Sequence, residues 1–236
     1  MVRQVGGRST YELCNGKVIY GPFSGLILNA ETWWSRSDLG AQCLGLYELE
    51  ILDLICNINP YDLFIDIGAA DGYYAVGMLH SQMAKRVICF ESSEKGRVAI
   101  KKTWEVNNNI GRLEIFAEAN QLTIKNIANE ITNKSLVLID IEGNEFSLLN
   151  REIVALLKNC EIIIEIHNWV DNFELKYKNL LTILNDFFHI TLISPIERNT
   201  TNLPELRSFT DDNRLLLTSE RRPCLMRFLY LTPKNF

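Results

Sequence analysis

Leu63-Phe64-Ile65-Asp66-Ile67-Gly68-Ala69-Ala70-Asp71-Gly72-Tyr73-Tyr74 joins an apolar, partly β-branched run to a turn of small residues and then to the start of a helical pattern. In a doubly wound sheet, this strand-to-helix edge is where ligands bind. Gly68 and Gly72 permit unusual backbone angles and let a ligand approach the main chain closely. Outward from this stretch, short β-branched runs alternate with longer segments of helical spacing. Strands are predicted over 63–67, 86–91, 113–117, 136–141, 161–167, 189–194 and 225–231, and helices over 70–81, 94–107, 145–157 and 174–187. That alternation predicts an α/β fold, with about seven strands in a mostly parallel sheet and helices on both faces.

Ahead of the sheet, residues 17–20 and 26–29 flank Gly21-Pro22-Phe23-Ser24-Gly25 and read as a hairpin, followed by Trp33 and Trp34. A helix over 44–57 then meets the breaker cluster Asn59-Pro60-Tyr61-Asp62. With 236 residues and 47% hydrophobic content, one core suffices. The expected organisation is a single domain, 1–43 forming an N-terminal extension and 44–236 a Rossmann-like core. The polar stretch 195–222 reads as a long connection of the kind that carries function.

Composition excludes several partners. The net charge is −5, and the basic runs Lys101-Lys102 and Arg221-Arg222 are only dipeptides, so no nucleic acid partner is expected. The six cysteines include no Cys-x-x-Cys pair and several lie in apolar surroundings, which predicts reduced thiols and a cytoplasmic setting. Residues 1–10 lack the apolar stretch of a secretory signal, and no run approaches the ~18 apolar residues of a membrane span, so no membrane partner is expected either.

A dinucleotide fingerprint starting at Gly68 would need glycines where Ala70 and Tyr73 stand, which disfavours a pyrophosphate cradle. An aspartate on the strand instead suits a cationic cofactor with an amino-acid tail, through the Asp66 carboxylate. Gly68, Ala69, Ala70, Asp71, Gly72 and Tyr73 would form the pocket floor. At the end of the second strand, Glu91, followed by Ser92, is placed to accept both hydroxyls of a ribose. The competing structural role of Asp66 and Glu91 is to cap turns and helices.

These blocks resemble those of the FkbM-type methyltransferases. The likeness rests on the 66–72 stretch, Phe90-Glu91, Ile139-Asp140-Ile141-Glu142-Gly143-Asn144-Glu145 with Leu148-Leu149, and Gly45-Leu46-Tyr47-Glu48-Leu49-Glu50. It runs from about Leu44 to His167. The resemblance implies a Rossmann-like class I methyltransferase fold, S-adenosylmethionine as cofactor, and O-methylation of sugars or of other small hydroxylated acceptors. It also implies that Tyr47 and Glu48 lie over the cofactor pocket and that Glu118 stands near the adenine.

Asp140, at the end of a hydrophobic strand, is then expected to face the transferable methyl group. Glu165 and His167 alternate onto one side of the next strand. Two schemes are open: His167 acts as base with Glu165 orienting it, or Asp140 and Glu165 share Mg2+ or another divalent cation. Glu142, Asn168, Arg198 and Asn199 are candidate acceptor ligands, as are Arg221 and Arg222, with Trp33, Trp34 and Trp169 as apolar walls. Glu142 and Glu145 also suit a helix amino terminus electrostatically. The rival functions are a nicotinamide-dependent oxidoreductase and a non-catalytic cofactor- or glycan-binding module on the same fold.

Overall fold

The computed structural model describes residues 2–57, 60–220, 222–224 and 226–234. Among these residues the strands are β1 Tyr61–Ile67, β2 Ala84–Phe90, β3 Arg112–Phe116, β4 Ser135–Ile139, β5 Glu161–Ile166, β6 Phe188–Ile193 and β7 Arg227–Pro233. They form one sheet in the order β3-β2-β1-β4-β5-β7-β6. Pairing is parallel from β3 through β5, and β7 runs antiparallel to both β5 and β6. The chain order reverses between β1 and β4, which opens a crevice at their carboxyl ends.

Alternation along the strands sorts the core into two layers. Phe64, Val87, Cys89, Leu136, Leu138 and Ile163 pack with α2 (Leu39–Cys43), α3 (Leu49–Cys56) and α4 (Tyr73–His80). Leu63, Ile65, Ile67, Val137, Ile139, Ile162 and Ile164 pack on the other face with α8 (Arg151–Leu156) and α9 (Phe173–Asn185). Each buried Ile or Leu contributes roughly 1.5–3 kcal/mol. That exceeds the ~1 kcal/mol span of strand propensities, so burial on both faces decides these segments. The same parity puts Asp66, Asp140, Glu165 and His167 on the α3–α4 side.

Several predicted boundaries shift for local reasons. The helix expected over 70–81 begins only at Tyr73, because Ala70 (φ 45°) and Gly72 (φ 83°) hold the preceding turn left-handed. That expected over 44–57 begins at Leu49, because Gly45 (φ 63°) and Glu48 (φ 46°) turn the chain across the crevice first. The segment 145–157 divides into α7 (Glu145–Leu148) and α8, with Asn150 accepting from the Ile153 N–H at 3.0 Å to start the second helix. The last strand begins at Arg227, and Leu225 and Asn59 lie outside the described residues.

The 17–29 hairpin is present as a single antiparallel bridge between Lys17 and Ile27. Four α-helices, α2 among them, had no counterpart in the sequence expectations. α1 (Val2–Leu13) packs beside α2 and α10 (Asp211–Thr218). α6 (Gln121–Ile127) follows a capping box formed by Asn120 and Thr123. α10 (Asp211–Thr218), capped by Thr210, orders part of the polar 195–222 connection. α5 (Glu94–Val106) matches its expected span closely.

Candidate active site

At the β1/β4 crevice lies a cavity of about 460 Å3, within the usual range for small-ligand sites. Its described lining carries Asp38, Glu48, Asp66, Asp71, Glu91, Glu118, Asp140 and Glu142, and among those residues no Lys or Arg. Asp66 is 2% exposed, and its Oδ2 is buried without a hydrogen-bond partner. Burial first, then the nearby Asp140 and Glu91 carboxylates, push its carboxyl up to about 8. Glu48, held across the crevice and accepting from the Tyr74 hydroxyl at 2.8 Å, is likewise raised to about 8, by burial and then by Asp140 and Glu220. Like charges 4 Å apart repel by ~4 kcal/mol at an effective dielectric of 20. A cationic ligand relieves both the burial and the repulsion.

The turn after β1 is built for close approach. Gly68 (φ 98°) sits where a Cβ would overlap the Asp140 carbonyl oxygen, so β1 and β4 close tightly only over glycine. Glu91 folds back onto this turn: Oε2 accepts from the Ala70 N–H at 2.9 Å and Oε1 from the Ser93 N–H at 2.7 Å. The carboxylate is thereby fixed at the cavity wall, with lone pairs left for a diol. Its neighbour Ser92 also lines the cavity.

Asp71 has a different task from the rest of the turn. Its Oδ1 accepts from the Trp33 N–H at 2.8 Å and its Oδ2 from the Trp34 N–H at 3.3 Å. These bonds pin the N-terminal segment over the cavity, where both tryptophans line the wall. Gly96 makes room for this arrangement, since a Cβ there would meet Glu91 and the Trp33 indole. The approach from Tyr47 and Glu48 and the apolar Ala117, Ala119 and Leu148 complete the enclosure, with exposed Glu118 at its rim.

The carboxyl ends of β4 and β5 bring a second group together. Ile139 pairs with Ile164, one step before Asp140 and Glu165. His167, 1% exposed, presents Nε2 to Asp140 Oδ1 at 3.4 Å, Glu165 Oε2 at 3.6 Å and Glu142 Oε2 at 3.7 Å. Its Nδ1 faces Glu145 Oε1 at 3.2 Å. The orienting carboxylate on Nδ1 is thus Glu145, while Glu165 stands on the Nε2 side. Burial alone lowers the imidazole pKa; the carboxylates of Asp140 and Glu145 overcome it and hold the group up to about 9. Burial, reinforced by Asp140 and Glu48, holds Glu165 well above the usual carboxylate range.

The structure gathers most of the expected residues and separates a few. Tyr47, Glu48, Asp66, Gly68, Ala69, Ala70, Asp71, Tyr73, Glu91, Ser92, Glu118, Asp140 and Glu142 all line the cavity. Gly72 lies beneath it, packed on Ile100. Glu165 and His167 stand behind Asp140 and, like Asn168, Arg198 and Asn199, are not among the lining residues. The Arg198 guanidinium instead donates to the Leu46 carbonyl at 2.9 Å, to Glu50 at 3.1 Å and to Glu220. Asn168 accepts from the Cys224 thiol at 2.9 Å. Arg222 pairs with Glu220 at 2.9 Å and Glu165 at 3.3 Å, and Arg221 lies outside the described residues. Trp169 packs edge-on against the His167 ring at 4.7 Å. Sequence reasoning left Gln42 and Asp38 out of the lining and Glu145 out of the histidine environment. No local spacing marks these three, since the contacts depend on tertiary closure.

No protein-family model and no curated protein matches the sequence. Solved structures are similar in fold. A dimethyladenosine transferase from Plasmodium falciparum aligns at TM-score 0.51 and 16% identity over 80% of this chain, which spans 62% of that one, less than two thirds of its length. A ribosomal protein L11 methylase from Lactobacillus delbrueckii subsp. bulgaricus aligns at TM-score 0.48 and 14% identity, covering 86% of this chain and 82% of its own. A SAM-dependent O-methyltransferase from Thermotoga maritima gives 0.48 and 12%, covering 78% and 63%. The strand order, with its single antiparallel β7, is that of the Rossmann-like class I methyltransferase fold.

Proposed function

We propose that this protein is an S-adenosylmethionine-dependent methyltransferase acting on a hydroxyl of a sugar, glycan or other small hydroxylated acceptor. The observation that carries the reading is the cavity wall, with eight described acidic residues and among them no Lys or Arg. A pyrophosphate-bearing nicotinamide cofactor would meet repulsion there, whereas a cofactor with an ammonium and a sulfonium is attracted. The residues fit that group. The orphaned Asp66 Oδ2 lacks the donor an ammonium provides, and the fixed Glu91 carboxylate faces the cavity as a diol acceptor. Glu118 belongs to the same reading at the adenine end. When bound, S-adenosylmethionine supplies an activated methyl group.

The chain's own contribution is to hold an acceptor oxygen in line and to help remove its proton. Asp140 and Glu142 border the cavity beside His167, so the acceptor hydroxyl belongs at this edge. His167 as base and a divalent cation, Mg2+ or another, at Asp140 and Glu165 are the two means of handling the proton. The FkbM-type blocks support a sugar or secondary-metabolite hydroxyl as the target. A net charge of −5 supports a small or glycan acceptor over nucleic acid. Among the described residues no helix is long and apolar enough to cross a membrane. All six cysteines are free, which supports the cytoplasmic expectation.

Calorimetric titration with S-adenosylhomocysteine and, separately, with NADH tests the reading. Tight binding of the first is expected, abolished in Asp66→Ala and weakened at least tenfold in Glu91→Ala. Binding of NADH instead would overturn it in favour of the oxidoreductase. Binding of S-adenosylhomocysteine without methyl transfer to a broad hydroxyl panel would favour a non-catalytic module.

A further inference from the structure

We infer that Asp140, Glu165 and His167 form a binding site for one divalent transition-metal ion of the Mn2+, Fe2+, Co2+ or Zn2+ class. The ligand-capable atoms of these three residues all lie within 4.8 Å of one another. Carboxylates alone would carry no such inference. The independent observation is His167 Nε2, which belongs to a side chain 1% exposed, is aimed among the carboxylates and has no hydrogen-bond partner.

The spacing is that of a coordination shell. Ligands about 2.0–2.2 Å from a metal stand roughly 3.3–3.6 Å apart in tetrahedral geometry and roughly 2.8–3.1 Å apart when adjacent in octahedral geometry. From Nε2, the Asp140 and Glu165 oxygens stand at 3.4 and 3.6 Å. An imidazolium hydrogen-bonded to a carboxylate would sit near 2.8 Å of one oxygen.

The atoms facing away from the centre are also anchored, as ligand-orienting partners are in metal sites. Nδ1 of His167 faces Glu145 Oε1 at 3.2 Å, while Glu145 Oε2 is fixed by the Gly143 N–H at 2.9 Å. Glu165 Oε1 faces Arg222 at 3.3 Å, leaving Oε2 for the centre. Glu142 Oε2, 3.7 Å from Nε2, is in reach as a fourth donor. The imidazole selects a transition metal over Mg2+, which favours an all-oxygen shell. Asp140 belongs to both this site and the cavity, so the ion can polarise an acceptor oxygen. That role rests on the methyltransferase reading; the site itself does not.

The test is titration of the EDTA-dialysed protein with MnCl2, read by electron paramagnetic resonance and calorimetry. One equivalent is expected to bind at micromolar concentration, with nitrogen hyperfine coupling from one imidazole in the spin-echo spectrum. Glu165→Gln and His167→Asn are expected to weaken binding at least a hundredfold and Glu145→Gln about tenfold, with an unchanged circular dichroism spectrum and a cooperative melting transition as evidence of folding. The spectroscopic readout needs no variant and stands if His167→Asn fails to fold. No Mn2+ uptake at 1 mM, or bound Mn2+ without nitrogen coupling, overturns the site. Mn2+ binding without S-adenosylhomocysteine binding would leave the site intact and remove the methyltransferase reading.

Discussion

Asp66 shows how a single side chain can be held against its own preference. In the unfolded chain its carboxyl ionises near 3.8, and in the fold burial and the Asp140 and Glu91 charges raise it to about 8. A raised folded pKa means the native state binds the proton more tightly. Its contribution is fully present below pH 3.8 and is lost as pH rises through 8. Each pKa unit corresponds to ~1.4 kcal/mol, so the loss across that window is on the order of a few kcal/mol. Asp66→Asn removes it and is expected to raise the thermal midpoint of the ligand-free protein by roughly 5 °C at pH 8 and by nothing at pH 4. Melting curves at the two pH values check this, and parallel behaviour of both proteins would refute it. The same variant is expected to lose S-adenosylhomocysteine binding, which separates the cost of the residue from its use.

Among the elements, the turn after β1 and the segment at Trp33 and Trp34 work as one unit, because Asp71 joins them through two backbone N–H groups. Asp71→Ala is expected to release the segment while leaving the β1 edge in place. S-adenosylhomocysteine should then dissociate about tenfold faster, and limited proteolysis should cut within 30–36 at protein concentrations where the parent resists. Unchanged dissociation would show that the segment does not close the cavity. This link was not legible in the sequence, although the two ends were: Asp71 stood out by its turn and the tryptophans by their size. The central strands β1, β2, β4 and β5 could be read because they are β-branched runs buried on both faces. Their parity also placed Glu165 and His167 on one side in advance. Helix boundaries were less legible wherever a left-handed residue displaced them. Ala70 and Glu48 carry no sequence mark of positive φ, since their conformations are imposed by closure of the pocket. The polar 195–222 connection concealed α10, whose cap Thr210 and first-turn acids Asp211 and Asp212 are ordinary helix-start signals inside a stretch dominated by loop-type composition.

Across the whole molecule, the 195–222 connection is tied to the sheet by charge. Arg222 meets Glu50 of α3 at 3.7 Å, Glu165 of β5 at 3.3 Å and Glu220 of its own segment at 2.9 Å, and its guanidinium lies 5.0 Å from the Phe228 ring centre. Arg198 joins Glu50 and Glu220 from the other end of the connection. Read from the sequence as acceptor ligands, the two arginines instead bind parts of the fold more than a hundred residues apart to one another. The Arg222 side chain is 21% exposed while Glu50 and Glu165 are 5% and 6% exposed. Removing the cation therefore leaves acids that water cannot fully solvate, and breaking a buried pair costs about 3–5 kcal/mol. Arg222→Met, which keeps most of the apolar stem, is expected to lose about 3 kcal/mol in urea denaturation at pH 7.5, with Arg222→Lys recovering part of it. Acidification should shrink the deficit, because Glu165, already raised by burial and by Asp140, needs no cation once protonated. A deficit independent of pH would mean that Arg222 acts through its packing on Phe228 rather than through the charge that joins the connection to the carboxyl end of β5.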